Sequence, residues 1–346
     1  MLKKILYITL ILSVLNSCKK TTTAQAAFTI QLRPIQSEYH EGDTIEVYFT
    51  NKQFSEDIKQ ELYTLHTTSL PSKGDKVVLK DIPLGKQKLK VELLTTDGKR
   101  FTAQKEITVL AKAAPEIYHY KIIAEYPHDK TAFTQGLEFI GDTLVESTGE
   151  YGESVIRKWN PFTGQVYKNV PLKAQYFGEG VTVFNDQVLQ LTWREAVGFV
   201  YDKNLNYLRS FPYHKSKEGW GLCHNGKDKL YKSDGSEKIW ILHPKTFSEV
   251  DSLQLCTNTS IFSNANELEY AEGKIYANTF LKDGIMIINP HNGAIEGVVD
   301  VRGLKDKVEQ TPNLDVLNGI AYHPQRKTFF ITGKRWSKIF EVVFIK

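Results

Sequence analysis

Between Phe28 and Leu110 apolar and polar residues alternate with a period of two, the pattern of strands that bury one face. Phe28 to Leu32 alternates, Glu41-Gly42-Asp43 interrupts, Thr44 to Phe49 alternates again, and Lys88 to Leu93 follows. Thr96-Asp97-Gly98-Lys99 is a hairpin signal before the run Phe101 to Leu110, because Asp-Gly readily adopts the left-handed backbone of a tight turn. About seven short strands over 28–110 predict a small immunoglobulin-like β-sandwich. The span carries no catalytic constellation, so its expected role is that of a spacer or docking module.

Residues 111–116 read as a linker, and from 117 to 346 the chain repeats itself. Leu144-Val-Glu-Ser, Leu189-Gln-Leu-Thr, Leu230-Tyr-Lys-Ser, Ile275-Tyr-Ala-Asn and Phe329-Phe-Ile-Thr each begin a strand. A polar turn and a second apolar strand follow each one: Val155 to Trp159, Val197 to Tyr201, Lys238 to Leu242, Gly284 to Ile288 and Lys338 to Val342. A period of roughly 40 to 50 residues made of short strands predicts propeller blades, and five starts predict five blades. His119 to Ala124 has no blade of its own and is expected to pair near Ile339 to Val343 and close the ring. Gly303 to Asp315 reads as an inserted loop. A sandwich or other two-sheet β fold is the alternative. The expected fold is therefore all-β, a five-bladed β-propeller preceded by the sandwich.

Four stretches within the repeats set a polar or aromatic residue beside glycine where a strand should begin. They are Phe133-Thr-Gln-Gly-Leu137, Tyr176-Phe-Gly-Glu-Gly-Val-Thr182, Gly219-Trp-Gly-Leu222 and Asn318-Gly-Ile-Ala-Tyr322. A carboxylate between two glycines is poor helix and poor surface strand, so Glu179 is expected to be aimed at one place. With the repeats in register, Gln135, Glu179, Trp193, Trp220, Asn266, Phe280 and Lys334 ring one cavity. That set holds a lone carboxylate, two amides, a lysine and large aromatics, and no His/Asp/Glu group suited to a metal.

The first segment changes the expected address. Lys3-Lys4, the apolar run Ile5 to Val14 and Leu15-Asn16-Ser17-Cys18 form a leader (1–18), too short in its apolar part to span a bilayer. A small residue directly before cysteine resembles the bacterial lipobox, which makes Cys18 the lipid-modified first residue of an exported, membrane-anchored chain in the periplasm or on the cell surface. Residues 19–27 are small and polar, as a tether should be. Cys223 and Cys256 either pair in that compartment or remain buried thiols, and their spacing is not that of a zinc site. The composition, 24% charged and 41% hydrophobic, is that of a globular protein. A net charge of +4, scattered along the chain, argues against nucleic acid as a partner.

Tyr126-Pro-His-Asp129, Ala132 to Leu137, Glu146-Ser-Thr-Gly149, Phe177-Gly-Glu-Gly180, Leu191-Thr-Trp193, Gly219 to Leu222, Asn266-Glu-Leu-Glu-Tyr270, Tyr276-Ala-Asn278, Leu317 to Tyr322 and Thr332-Gly-Lys334 occur in that order. Together they closely resemble the plant-type glutaminyl-peptide cyclotransferases, from about Tyr118 to Val343. The resemblance implies a five-bladed propeller that turns the N-terminal glutamine of a peptide into pyroglutamate with loss of ammonia, with no cofactor. It implies Glu179 as the central acid and base, with Lys334 and Asn266 beside it, and Phe133, Gln135, Phe177, Trp193 and Trp220 as pocket residues. Phe280 stands where the family usually has tryptophan, so an indole N–H is missing from that wall. A monomer acting on peptides or proteins with N-terminal glutamine is expected. Two rivals are a non-catalytic propeller binding peptide or glycan at its hub and a calcium-dependent propeller hydrolase.

Overall fold

The computed structural model describes residues 27–346; the leader with Cys18, and all of the tether but Ala27, lie outside the described residues. Among the described residues the regular structure is strand, apart from one 3-10 turn at Lys305–Lys307. The all-β expectation holds.

The N-terminal strands are β1 (Thr29–Arg33), β2 (Glu38–His40), β3 (Thr44–Thr50), β4 (Ile58–Leu65), β5 (Thr68–Ser69), β6 (Ser72–Lys73), β7 (Lys76–Val78), β8 (Gly85–Thr95) and β9 (Arg100–Leu110). They form two sheets, in the orders β1-β3-β7-β6 and β2-β9-β8-β4-β5. The alternation explains their packing. Ile30, Leu32, Ile45, Val47 and Val77 from the first sheet meet Tyr63, Leu65, Leu89, Val91 and Leu93 from the second in one buried cluster. Nine strands stand where periodicity predicts about seven, because pieces as short as β5 and β6 carry no readable alternation. Cys256, Ala294 and Ile261 from the second half of the chain pack into the same cluster. Leu84 N–H donates to the Asn292 carbonyl at 3.0 Å and Ala111 N–H to that of Thr257 at 3.1 Å. The sandwich is thus docked against the repeats rather than swinging on 111–116.

The repeats form four-stranded antiparallel sheets. The first holds β11 (Thr134–Ile140), β12 (Thr143–Thr148), β13 (Val155–Trp159) and β14 (Val166–Pro171); the second β15 (Gly178–Phe184), β16 (Gln187–Thr192), β17 (Val197–Asp202) and β18 (Tyr207–Pro212). The third holds β19 (Leu222–His224), β20 (Leu230–Ser233), β21 (Lys238–Leu242) and β22 (Glu249–Gln254); the fourth β23 (Ala265–Ala271), β24 (Lys274–Thr279), β25 (Gly284–Ile288) and β26 (Ile295–Asp300). The last has β27 (Leu317–His323), β28 (Thr328–Gly333) and β29 (Lys338–Ile345), completed by β10 (Glu116–Pro127). β10 runs antiparallel to β29 with Lys121 opposite Val343 and Tyr126 opposite Ile339, the pairing expected from the sequence. Its first residues also pair in parallel with β26, Glu116 to Tyr118 against Gly297 to Val299, which stitches the last sheet to the fourth.

The first strands of the five sheets neighbour one another in cyclic order, β11 with β15, β19, β23, β27 and β11 again. The five repeat starts read from the sequence are the second strands, β12, β16, β20, β24 and β28. The insertion before β27 is irregular, but Leu304 and Val308 anchor it in the core. Cys223 and Cys256 are both buried and free, so the disulfide alternative is not realised.

Candidate active site

Four of the five innermost strands begin with a break in register, between Thr134 and Gly136, Gly178 and Val181, Ala265 and Leu268, and Leu317 and Ile320. A bulge gives one strand an extra residue and re-aims its side chain. The residues inside the breaks are Gln135, Glu179-Gly180, Asn266-Glu267 and Asn318-Gly319. The glycines have a steric reason beyond bending. A Cβ on Gly180 would overlap the Trp220 carbonyl oxygen, and one on Gly221 would overlap that of Asn266, so neighbouring inner strands touch backbone to backbone only because no side chain intervenes.

Side chains from these segments line a cavity of about 330 Å³. Phe133, Gln135, Phe177, Glu179, Trp193, Trp220, Asn266, Phe280 and Lys334 all line it, joined by Glu150, Leu281 and Asp315. Glu179 is buried and accepts a hydrogen bond from Gln135 Nε2 at 3.0 Å. Gln135 Oε1 in turn accepts from Asn318 Nδ2 at 2.9 Å, and Asn318 Nδ2 also reaches the Thr134 carbonyl at 3.0 Å. The amide of Gln135 is therefore committed to holding Glu179. Lys334 Nζ lies 4.6 Å from the ring centre of Phe133 and 5.6 Å from that of Phe280, a cation against two aromatic faces. Among the described residues no carboxylate lies within 4.0 Å of it. Phe177 packs at 6.1 Å on Phe133 and 5.4 Å on Trp193, while Trp220 meets Phe280 edge-on at 5.3 Å.

A larger cavity, about 880 Å³, opens between the 111–116 segment and the outer edges of the last two sheets. Its carboxylates are already matched: Glu41 to Asn292, Glu116 to Lys346 and Tyr118, Glu272 to Tyr322, Glu296 to Lys274 and Asn289. Size alone does not single it out; the smaller cavity is the one that gathers the residues expected from the sequence.

Residues 92–344 match the family model described as glutamine cyclotransferase. The chain belongs to the glutamine cyclotransferase family. A glutaminyl-peptide cyclotransferase of Arabidopsis thaliana is 37% identical over 230 residues, covering 65% of this chain and 71% of the relative. The crystal structure of Myxococcus xanthus glutaminyl cyclase superposes with a TM-score of 0.61 at 34% identity, over 66% of this chain and 98% of that one. The family match takes in the ring and enters the sandwich only at Glu92, within β8.

In this cyclotransferase burial acts in opposite directions on the two buried ionisable groups of the cavity, Glu179 and Lys334. Burial pushes the Glu179 carboxyl well above its ordinary range; the Lys334 charge draws it back, and Glu218 and Glu195 push it further up. Burial also lowers Lys334, against the raising influence of Glu179, Asp315 and Glu150. Burial pushes Glu267 and Glu269 up in the same way, so what sets Glu179 apart is that it lines this cavity. Glu267, adjacent to Asn266, has a different task. It is fully buried and accepts from Leu137 N–H at 3.2 Å and Ile320 N–H at 2.8 Å, tying three inner strands together. Glu150, Leu281 and Asp315 were not singled out by the sequence, since each lies in a connecting segment outside the glycine-flanked stretches. Among the described residues no group of three or more His, Cys, Asp or Glu side chains is arranged to hold a metal ion.

Proposed function

We propose that the protein converts the N-terminal glutamine of peptides or proteins to pyroglutamate with release of ammonia. The observation that carries the reading is a single buried carboxylate, Glu179, held by Gln135 in an aromatic-walled cavity beside Lys334. The α-amine and the γ-carboxamide belong to one residue, so what the protein must supply is mainly the ring-shaped conformation, and aromatic walls supply it by shape. The amine nitrogen attacks the γ-carbonyl carbon and the new C–N bond forms. Lys334 and Asn266 donate hydrogen bonds to the carbonyl oxygen as it gains charge. Glu179 accepts the proton from the attacking nitrogen and delivers it to the amide nitrogen; that C–N bond breaks, ammonia leaves and the carbonyl re-forms. Burial moves the Glu179 carboxyl above its ordinary range, which strengthens it as the acceptor of the attacking amine's proton.

In this reading the five sheets are the blades of a β-propeller and 28–110 is an immunoglobulin-like spacer. Lipidation at Cys18 tethers the exported protein to a membrane, facing the periplasm or the exterior. The test is a mass-spectrometric assay of a Gln-initiated peptide incubated with the purified protein, with and without EDTA. The expected product is lighter by one ammonia and forms in both conditions. A peptide that binds without releasing ammonium would leave a non-catalytic hub, and loss of turnover with chelator, restored by calcium, would favour a metal-dependent one.

A further inference from the structure

Two tryptophans from different repeats line the cavity, Trp193 after β16 and Trp220 before β19. One carboxylate oxygen meets both. Glu218 Oε2 accepts from Trp193 Nε1 at 2.7 Å and from Trp220 Nε1 at 2.9 Å. Its other oxygen receives Arg194 Nε at 3.3 Å, and the Arg194 guanidinium lies 3.7 Å from the ring centre of Trp193, closing that indole from outside. Because an indole ring pivots about two bonds, fixing its N–H fixes the plane that the ring presents to a ligand.

Glu218 is itself anchored from below. Lys232, fully buried, donates from Nζ to the Glu218 carbonyl at 2.8 Å and to Glu249 Oε1 at 3.1 Å, and also bonds Ser216 Oγ. Glu249 Oε2 receives the N–H groups of Lys215 at 2.7 Å and Ser216 at 3.0 Å. The segment 215–218 is therefore pinned at its backbone while its glutamate reaches out to the two rings.

We infer that Glu218 is a positioning residue of the cyclotransferase, a single acceptor that sets both tryptophan walls at once and so shapes the cup into which glutamine folds. The inference rests on the function proposed above, but the clamp has a readout of its own. Both indole donors are spent on Glu218, so the walls offer the substrate their faces and not their N–H groups.

Two variants separate reach from charge. Glu218→Gln keeps an oxygen at the same distance and loses the charge, and Arg194, largely exposed, can swing away from the new amide. Glu218→Asp keeps the charge and withdraws the oxygen by one methylene. Because the Glu218 charge also raises the Glu179 pKa, each variant is compared at its own pH optimum; there a clamp predicts that Gln retains kcat/KM within about threefold while Asp loses about 10–100-fold, with kcat falling because misaligned walls hold fewer near-attack conformers. Acrylamide quenching of tryptophan emission should rise in the Asp variant and stay at the wild-type level in the Gln variant. The opposite ranking, or an Asp variant with wild-type turnover and quenching, overturns the inference. If the wild-type protein releases no ammonia, the proposed function fails, while the quenching contrast still decides whether the clamp exists.

Discussion

Replacing Glu179 by glutamine separates the chemistry of the site from its architecture. The new amide is isosteric, and its oxygen still accepts the hydrogen bond that Gln135 Nε2 gives at 3.0 Å, so the chain from Asn318 through Gln135 survives. What disappears is a group able to take a proton from the attacking amine. General acid–base catalysis contributes about 10²–10⁴-fold, and at about 1.4 kcal/mol per decade the barrier should rise by about 3–6 kcal/mol. Stability should move the other way. Burial raises the Glu179 pKa in the folded state above its unfolded value, so the folded protein favours the protonated form. That contribution is fully present below the unfolded pKa and is lost as pH rises through the folded one. Glutamine mimics the neutral acid at every pH. The variant should therefore melt at or above the wild-type temperature near pH 8, with the difference shrinking as pH falls into the ordinary carboxylate range. Ammonium release and thermal melts on the same preparations test both halves. Turnover within threefold of wild type, or a variant that melts lower at pH 8 than at pH 5 relative to wild type, would refute the reasoning.

Lys334→Met keeps a long side chain against Phe133 and Phe280 but removes the donor and the charge that draws the Glu179 pKa down. kcat should fall about 10²–10³-fold, and the ascending limb of the pH–rate profile should shift to higher pH; a shift to lower pH would contradict the assigned coupling. Phe280→Trp adds area and an N–H donor beside Trp220, so KM for a Gln-peptide should fall about two- to tenfold, checked by steady-state kinetics. Gly180→Ala places a methyl group on the Trp220 carbonyl and should cost about 1–3 kcal/mol, read as a lower denaturant midpoint, with a larger loss of activity than of stability because Glu179 is its neighbour.

How far the sequence disclosed this arrangement depends on what each segment buries. β3 buries Ile45 and Val47 on one face only, and its alternation was plain. β14 and β18, the outer strands of their sheets, are exposed along nearly their whole length, so no alternation marks them and the repeats read as two strands where there are four. β11 and β15 have the opposite defect, since both faces are buried and the apolar and polar residues mix. They were visible only through their glycines. Every site residue expected from those stretches lines the same cavity, because each glycine that makes the motif odd is required by a close contact between inner strands. Glu218 and Asp315 show the limit. Their placement follows from partners distant in the chain or from a loop without periodicity, and an acidic residue in a polar connection carries no local sign of what it will touch. The two cysteines were equally mute, as a pairing needs a distance that spacing along the chain does not provide.

The contacts between inner strands connect the fold to the site more tightly than either does alone. Gly180 N–H bonds the Trp220 carbonyl at 2.6 Å, Gly221 N–H reaches Ser233 Oγ at 2.7 Å, and that hydroxyl donates to the Asn266 carbonyl at 2.6 Å. Gly319 N–H meets Asn278 Oδ1 at 2.9 Å, and Asn318 returns to the Thr134 carbonyl. With Glu267 bridging Leu137 and Ile320, the segments that carry Gln135, Glu179, Trp220, Asn266 and Asn318 are each bonded to a neighbouring sheet. A flexible loop with the same side chains would lose conformational entropy on each turnover to assemble them. Here that cost is met once, at folding, by strands that have no freedom left. The burial that makes Glu179 costly to ionise is thus the same burial that fixes its position, and both come from one set of close backbone contacts.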